Sequence, residues 1–186
     1  MSYSEIEKEN VICHELGHWF VAKKVGFEVG DISLTFNVNE WGNAWHYGTS
    51  GVRPSPSLKS IDDLADYLKN RIAVMCAGAC CQEILFGVDS KKTLEGDGED
   101  DLSKIKELLI LYRGIKHPGD TSIENEQLDC EECFEKSWKI AREIINKNEK
   151  LIRHVSMEIM KKVEKDNFLY EITQKDIESA IDAWNG

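Results

Sequence analysis

The sequence predicts a mainly α protein with one small β-hairpin near its N-terminus, which places it in the α+β class. Most of its 186 residues lie in segments whose apolar side chains recur every three or four positions, as in an amphipathic helix. One short segment alternates apolar and polar residues instead, which is typical of a half-buried strand. The length fits a single domain with a sizeable core.

The N-terminal third is expected to hold one helix and the hairpin. The helix covers residues 4–24, and Gly26 lies just past its end. Four alternating apolar residues then mark the first strand: Ile32, Leu34, Phe36 and Val38. Turn-forming residues occupy positions 39–43, residues 44–49 return as the second strand, and residues 51–59 form a loop.

Two further helices are predicted from the residues at their ends. Ser60 is the N-cap of the second helix, and Asp63 is its partner in a capping box. Gly87 ends the helix. An acidic, glycine-bearing loop, "EGDGEDD", follows. The third helix covers residues 101–113, and the chain is broken after it at Pro118.

The C-terminal part is expected to be helical. Long helical segments fill residues 123–164, as two helices that meet near residues 146–148. Thr173 then caps a last short helix that runs to Trp184, and Asp176 completes its capping box.

Composition and charge exclude several function classes. Hydrophobic residues make up 41% of the chain and charged residues 31%, which is ordinary for a soluble globular protein. The formal net charge of −11 argues against binding to nucleic acid or an anionic membrane surface, because both are polyanions. No stretch is apolar for long enough to span a membrane, and the polar N-terminus lacks the features of a secretion signal. We therefore expect a cytoplasmic protein whose six cysteines are reduced and mostly buried.

The segment "CHELGH" contains the pattern H-E-x-x-H, formed by His14, Glu15 and His18. Residues four apart lie on the same face of a helix, so both imidazoles can bind one ion. Zinc suits such a pair, because it accepts nitrogen ligands in tetrahedral geometry. Glu15 lies one step round the helix from His14, where a base can take a proton from an attacking water molecule. The motif therefore predicts a zinc site.

A catalytic zinc site usually has three protein ligands, and two acids compete for the third place. Glu83 continues the apolar stripe of the second helix, where a carboxylate is costly unless it is paired or bound to a metal. It is either a ligand or a partner that orients a ligand histidine. Asp101 falls in phase with the inward side of the third helix, whereas Asp100 falls on its exposed side. From the pattern alone, Glu83 and Asp101 are equally good candidates for the third ligand.

Four blocks occur in an order that resembles the peptidase domain of the FtsH family of ATP-dependent zinc metalloproteases. They are "CHELGH", a short strand pair, "RIAVMCAGACCQEILFG" and an acidic loop that ends in Asp100-Asp101-Leu102. The C-terminal part is similar in its residue pattern to the long helical hairpin that closes that domain. The resemblance thus covers nearly the whole chain, and it divides the single domain into a metal-site half, residues 1–120, and a helical hairpin, residues 121–186.

The resemblance implies a helical zinc peptidase fold with three metal ligands: His14, His18 and Asp101. It also implies that Glu15 is the catalytic base and that Glu83 lies near the metal without binding it. The loop before Asp101 is slightly longer than is usual in the family, which keeps Asp100 as an alternative ligand.

The expected function is the hydrolysis of peptide bonds in peptides or unfolded proteins by a stand-alone domain. The sequence contains no G-x-x-x-x-G-K-[ST] loop of the ATPase that the family joins to this domain. A separate ATPase or regulatory partner is therefore a possible activator. The rival interpretation is a non-catalytic zinc-binding interaction module.

An extended peptide substrate is expected to pair with the edge of the strand over residues 32–38, because backbone hydrogen bonds would hold it in register. His46 and Tyr47, on the second strand, could reach such a peptide, but surface or packing roles are favoured for both.

Overall fold

The computed structural model describes residues 3–38, 40–41, 44–54, 56–163 and 168–184. Within these ranges the chain forms six helices and three strands, so the predicted class, mainly α with a small sheet, is confirmed. The elements are, in chain order, α1 (Glu5–Lys24), β1 (Glu28–Val38), β2 (Ala44–Arg53), α2 (Ile61–Phe86), α3 (Ser90–Glu95), α4 (Glu99–Lys116), α5 (Ile123–Met160), β3 (Phe168–Ile172) and α6 (Gln174–Asp182).

Helix α1 begins and ends where the sequence predicts. The Ser4 side chain accepts a hydrogen bond from the backbone N–H of Glu7, and the Glu7 carboxylate accepts one from the backbone N–H of Ser4. This reciprocal pair satisfies two N–H groups that the first turn leaves without helical partners. The second half of the helix is buried on nearly all sides, and Trp19 and Leu16 are fully covered.

The sheet has three antiparallel strands in the order β2-β1-β3. Leu34 of β1 lies opposite Gly48 of β2 and opposite Tyr170 of β3. The alternating residues Ile32, Leu34 and Phe36 are buried, as their pattern predicts. The sequence analysis missed β3, and the expectation that a peptide pairs with the edge of β1 is therefore wrong, because both edges of β1 are occupied.

The second strand is longer than its pattern suggests. It runs to Arg53, so the predicted loop over residues 51–59 begins only after that residue. A bulge between Val29 and Ile32 places two residues of β1 opposite one of β2 and accommodates the extra length. The predicted turn over residues 39–43 lies largely outside the described residues.

Helix α2 follows its end signals closely. The Ser60 side chain accepts a hydrogen bond from the backbone N–H of Asp63 at 3.0 Å, and Gly87 ends the helix with a φ of 68°. The Asp63 carboxylate accepts instead from the backbone N–H of Lys59 at 2.9 Å. Ser60 therefore caps the helix without the reciprocal bond of the predicted capping box, because the Asp63 carboxylate bonds to Lys59, the residue before the N-cap.

The segment between α2 and α4 contains the short helix α3, which the sequence analysis missed. Helix α4 also begins two residues earlier than predicted and ends three residues later, at Lys116. The earlier start places Asp101 within the first turn of α4.

Helix α5 is one continuous helix, so the predicted pair of helices meeting near residues 146–148 is wrong. The buried stripe passes straight through this region, with Ala141 and Ile145 before it and Ile152 after it. The Asn148 amide donates to the carbonyl of Ile144 at 2.6 Å, within the same helix. The asparagines are thus accommodated on the helix surface and do not end it.

The predicted helical hairpin over residues 121–186 is also wrong. After α5 the chain forms β3, which pairs with β1, and then the nine-residue helix α6. The Thr173 and Asp176 capping box of α6 is confirmed. Helix α5 packs against α1, α2 and α4, so one core joins both parts of the chain. None of the helices in the described part of the chain combines the length and the apolar character that crossing a membrane requires.

Candidate metal centre

Three ligand-type side chains meet between α1 and the start of α4. His14, His18 and Asp101 each offer one atom, and these atoms all lie within 4.8 Å of one another. The Oδ2 atom of Asp101 is 3.0 Å from Nε2 of His18 and 3.5 Å from Nε2 of His14. The two histidines come from successive turns of α1, as the i, i+4 spacing predicts. The structure thus brings together the three residues that the sequence analysis named.

Two glycines allow the histidine helix to lie very close to α2. A Cβ atom on Gly78 would lie 2.5 Å from Cε1 of His14, so any side chain there would overlap the imidazole. A Cβ atom on Gly17 would lie 2.5 Å from the carbonyl oxygen of Ala77. Both distances are shorter than real contacts, so the close packing of α1 on α2 depends on these two residues.

Both histidines are oriented through their Nδ1 atoms. Nδ1 of His18 donates to the carbonyl oxygen of Val74 at 2.6 Å, and Nδ1 of His14 lies 3.0 Å from Oε1 of Gln82. Hydrogen bonds at Nδ1 fix the ring and leave Nε2 directed at the Asp101 carboxylate. This is the arrangement that metal-binding histidines usually have.

The donor set fits a zinc ion. Four-coordinate zinc with bonds of about 2.0–2.1 Å places neighbouring ligand atoms about 3.3 Å apart, and the two Nε2–Oδ2 distances are 3.0 and 3.5 Å. Two imidazole nitrogens and one carboxylate oxygen suit zinc among the metals that proteins bind. With three protein ligands, one tetrahedral position remains for water or substrate, as in catalytic zinc sites.

The electrostatics of the cluster follow from burial and close opposite charges. Burial acts against protonation of His18, but the nearby Asp101 carboxylate outweighs it and raises the pKa of His18 to about 9. Burial would raise the pKa of Asp101, but His18 and His14 hold it well below its usual range. A metal ion bound by the three side chains would displace the proton that the raised pKa keeps on His18.

Glu15 lies beside the cluster and beneath β2. It is 6% exposed, and burial raises the pKa of its carboxyl group. A Cβ atom on Gly48 of β2 would lie 2.5 Å from Oε1 of Glu15. The strand therefore passes directly over the carboxylate, and a glycine at this position leaves room for it.

The cluster opens into a cleft of about 400 Å³. Helix α1 contributes His14, Glu15 and His18 to its floor, and α2 contributes Met75 and Arg71 to one wall. The opposite wall is formed by five consecutive residues of β2: His46, Tyr47, Gly48, Thr49 and Ser50. His46 and Tyr47 thus line the cleft, a position that the sequence analysis considered but did not favour.

The other acids near the motif have different environments. Asp100 lines the cleft but is exposed and lies outside the three-residue cluster. Glu83, expected close to the metal, instead accepts a hydrogen bond from Nη1 of Arg142 at 2.6 Å. The residue that contacts His14 is the neighbour of Glu83, Gln82. A signal for Gln82 was present, since a polar side chain in a helix buried on all sides needs a partner.

No model of a known protein family matches the chain, and no curated protein matches it. The residues of the site itself therefore carry the functional proposal.

Proposed function

We propose that this chain is a zinc-dependent metallopeptidase domain that hydrolyses peptide bonds in peptides or unfolded proteins. The observation that carries the proposal is the meeting of His14, His18 and Asp101 within 4.8 Å, beside the buried carboxylate of Glu15. A purely structural zinc site has four protein ligands and no need of a base. Three ligands, a base and an open cleft are instead typical of a hydrolytic site.

His14, His18 and Asp101 hold the metal in this proposal. When bound, zinc supplies Lewis-acid polarisation of a water molecule and of the scissile carbonyl. The Nδ1 contacts to Val74 and Gln82 keep both imidazoles in position for this task.

Glu15 moves the proton. Its carboxylate takes a proton from the attacking water, whose oxygen forms a bond to the carbonyl carbon. The carbon–nitrogen bond then breaks, and Glu15 returns the proton to the leaving amine nitrogen. Atoms balance, because one water molecule is consumed and one acid and one amine are released. Burial beneath β2 holds the carboxylate in place and excludes bulk water from it.

The substrate strand is assigned to β2. Within the described residues β2 has β1 on one side and no strand on the other. Residues of both faces of β2 line the cleft in succession, so its free backbone edge borders the site. An extended peptide would add to this edge through backbone hydrogen bonds, with its scissile bond opposite Gly48, above Glu15.

The resemblance to the FtsH-family peptidase domain supports the same assignment. It names the same three ligands and the same base, from the order of sequence blocks and independently of the distances between side chains. The family therefore enters as part of this proposal, with a separate ATPase or regulatory protein as a possible activator.

The test is cleavage of a diverse peptide mixture, read by mass spectrometry. We expect the zinc-loaded wild type to cleave, and the Glu15→Gln variant to lose cleavage while it keeps zinc. Glu83→Gln is the matched control: the same chemical change, at an acid that pairs with Arg142, should leave cleavage unchanged.

Two results would contradict the proposal, and a third would show that the activity needs a partner. Cleavage that persists in Glu15→Gln would assign the activity to another site or to a contaminant. Stoichiometric zinc without cleavage by the wild type would favour a non-catalytic interaction module, and cleavage that appears only with an added cellular fraction would indicate a partner-activated peptidase.

A further inference from the structure

The cleft is lined by one arginine, Arg71, which lies on α2. Arg71 of α2 lines the cleft and is half-buried, yet among the residues that the structure describes no carboxylate lies within ion-pair distance of it. Three other arginines pair: Arg142 with Glu83, Arg153 with Glu149, and Arg113 with several acids. Arg53 also lacks an ion pair among the described residues, but it is exposed at the end of β2. The chain has 34 acidic residues and 23 basic ones, so acids are plentiful, and a half-buried guanidinium without one is left to bind something else.

Arg71 lies within reach of the reacting centre. The Val74 carbonyl contacts His18, and Arg71 is three residues earlier on α2, about 4.5 Å along the axis. Gly78, which lies against His14, is seven residues away, about 10 Å. An extended peptide advances about 3.3 Å per residue. The guanidinium therefore faces a substrate position roughly two or three residues from the scissile bond.

Charged side chains other than Arg71 also line the cleft. They are Asp97, Asp100 and Lys104, and all three are exposed. Asp97 lies near enough to His46 to act on its charge, and Lys104 lies near enough to Glu15 to do the same. Of the basic residues that line the cleft, Arg71 is therefore the more buried.

We infer that Arg71 forms a carboxylate-binding subsite of this cleft, so that the preferred substrates are peptides with a carboxylate two or three residues from the cleaved bond. The inference deepens the proposed peptidase function and rests on it. A guanidinium binds a carboxylate through two parallel hydrogen bonds, which gives both affinity and orientation. The carboxylate can come from an Asp or Glu side chain or from the C-terminus of the peptide.

Peptide binding tests this inference without relying on cleavage. The probes are ten-residue peptides of alanine, valine and glutamine with a single Asn at each position in turn, and matched peptides with Asp in its place. Each is made with a free and with an amidated C-terminus. Binding to the zinc-loaded Glu15→Gln protein is measured by isothermal titration calorimetry, so that no turnover disturbs the titration.

We expect Asp to bind about tenfold more tightly than Asn at one or two adjacent positions. A gain from the free C-terminus alone would identify the terminal carboxylate as the ligand, and a gain from Asp alone would identify a side chain. Adding Arg71→Gln should abolish the gain and leave binding of the amidated Asn peptides unchanged. Arg71→Glu should favour peptides with Lys at the same position. Arg53→Gln is the matched control. It removes an arginine from the exposed end of β2 and should leave the preference for Asp over Asn unchanged.

The inference is overturned if Asp and Asn peptides bind equally, if the preference survives in Arg71→Gln, or if no peptide binds. Its failure is distinct from failure of the proposed function. Wild-type cleavage without a carboxylate preference would overturn the subsite and leave the peptidase standing. Carboxylate-dependent binding without cleavage would overturn the peptidase and leave the subsite standing.

Discussion

At the scale of single residues, the cluster of His14, His18 and Asp101 and the carboxylate of Glu15 beside it depend as much on the absence of neighbouring side chains as on their own. His14 can lie against α2 only because position 78 has no Cβ atom, and Glu15 can lie beneath β2 only because position 48 has none. Neither glycine has a positive φ, so the requirement is for space and not for backbone freedom. Substitutions at these positions should therefore damage the metal site before they damage the fold.

Gly78→Ala tests this requirement. The added methyl group would displace the His14 ring, and such overpacking of a core typically costs about 1–3 kcal/mol of stability. If the cost falls on the ligand, zinc binding weakens by about 5- to 150-fold. The measurement is zinc affinity, by competition with a chromophoric chelator.

The matched control is Gly114→Ala, in α4. A Cβ atom there meets nothing within 4 Å, and alanine is about 1 kcal/mol better than glycine within a helix. Gly114→Ala should therefore raise stability slightly and leave zinc affinity unchanged. Equal zinc affinity in both variants would show that α1 shifts without cost and would contradict the close-packing argument.

Gln82→Leu tests the orientation of His14. Loss of the Gln82 contact frees Nδ1 of His14, and removal of such partners typically weakens metal binding about 10- to 100-fold. Leucine fills a similar volume, so we expect the unfolding temperature to change little. Glu83→Gln, one residue further along α2, should leave zinc affinity as it is. The opposite result, in which only Glu83→Gln weakens binding, would restore the role that the sequence pattern suggested for Glu83.

The meeting of His14, His18 and Asp101 was largely predictable because these residues follow fixed spacings. The i, i+4 spacing gave His14 and His18, and the phase of α4 made Asp101 a candidate. The contact to His14 was predictable only in part. A polar side chain in a buried helix indicates that it has a partner, but Gln82 and Glu83 are adjacent and α2 is buried on both faces over this stretch. Which face meets α1 is decided by the small residues Gly17 and Gly78, and such packing is a tertiary property.

At the scale of elements, β3 determines which strands lie at the edges of the sheet. With β3 in place, β1 is the central strand and β2 is the edge that borders the cleft. The strand was not predictable locally, since it has five residues and several of its side chains are exposed. Its position depends on pairing with residues more than 130 positions earlier. Helices α1, α2 and α6 were predictable because capping residues and apolar stripes mark them within their own sequence.

Ile172→Ala tests whether β3 stabilises the sheet. Ile172 is 2% exposed and lies opposite Ile32 of β1, and truncation of such a residue costs about 2–5 kcal/mol. The free energy of unfolding is measured by urea titration. Leu169→Ala, at a residue of the same strand that is 55% exposed, should change stability by less than about 0.5 kcal/mol. Equal effects of the two substitutions would contradict the register of β3.

At the scale of the whole molecule, one core joins helices from both parts of the chain, and most cysteines lie within it. Five cysteines are buried and Cys130 is half-exposed. Burial raises the pKa of the thiols of Cys13 and Cys80 to about 12 and that of Cys133 to about 11. These thiols are both covered and protonated at neutral pH, so they should not react in the folded protein.

Thiol titration with a chromogenic disulfide reagent at pH 8 tests this description. We expect one cysteine, Cys130, to react with the native protein, and the other five to react only at the rate of unfolding. A Cys130→Ser variant should then show no fast reaction. Fast labelling of a second cysteine would show that α5 opens locally from the core, and it would contradict the continuous packing described above.

The late position of β3 in the chain has a consequence for synthesis on the ribosome. All three residues of the proposed metal site are made by residue 101, but β1 gains its second neighbour only when residues 168–172 have emerged. A growing chain can thus hold every ligand while one edge of β1 is still open to other strands. Pairing between segments so far apart is slow to form. Until β3 pairs, that edge of β1 is open to non-native strand pairing, and the pairing of β3 closes it.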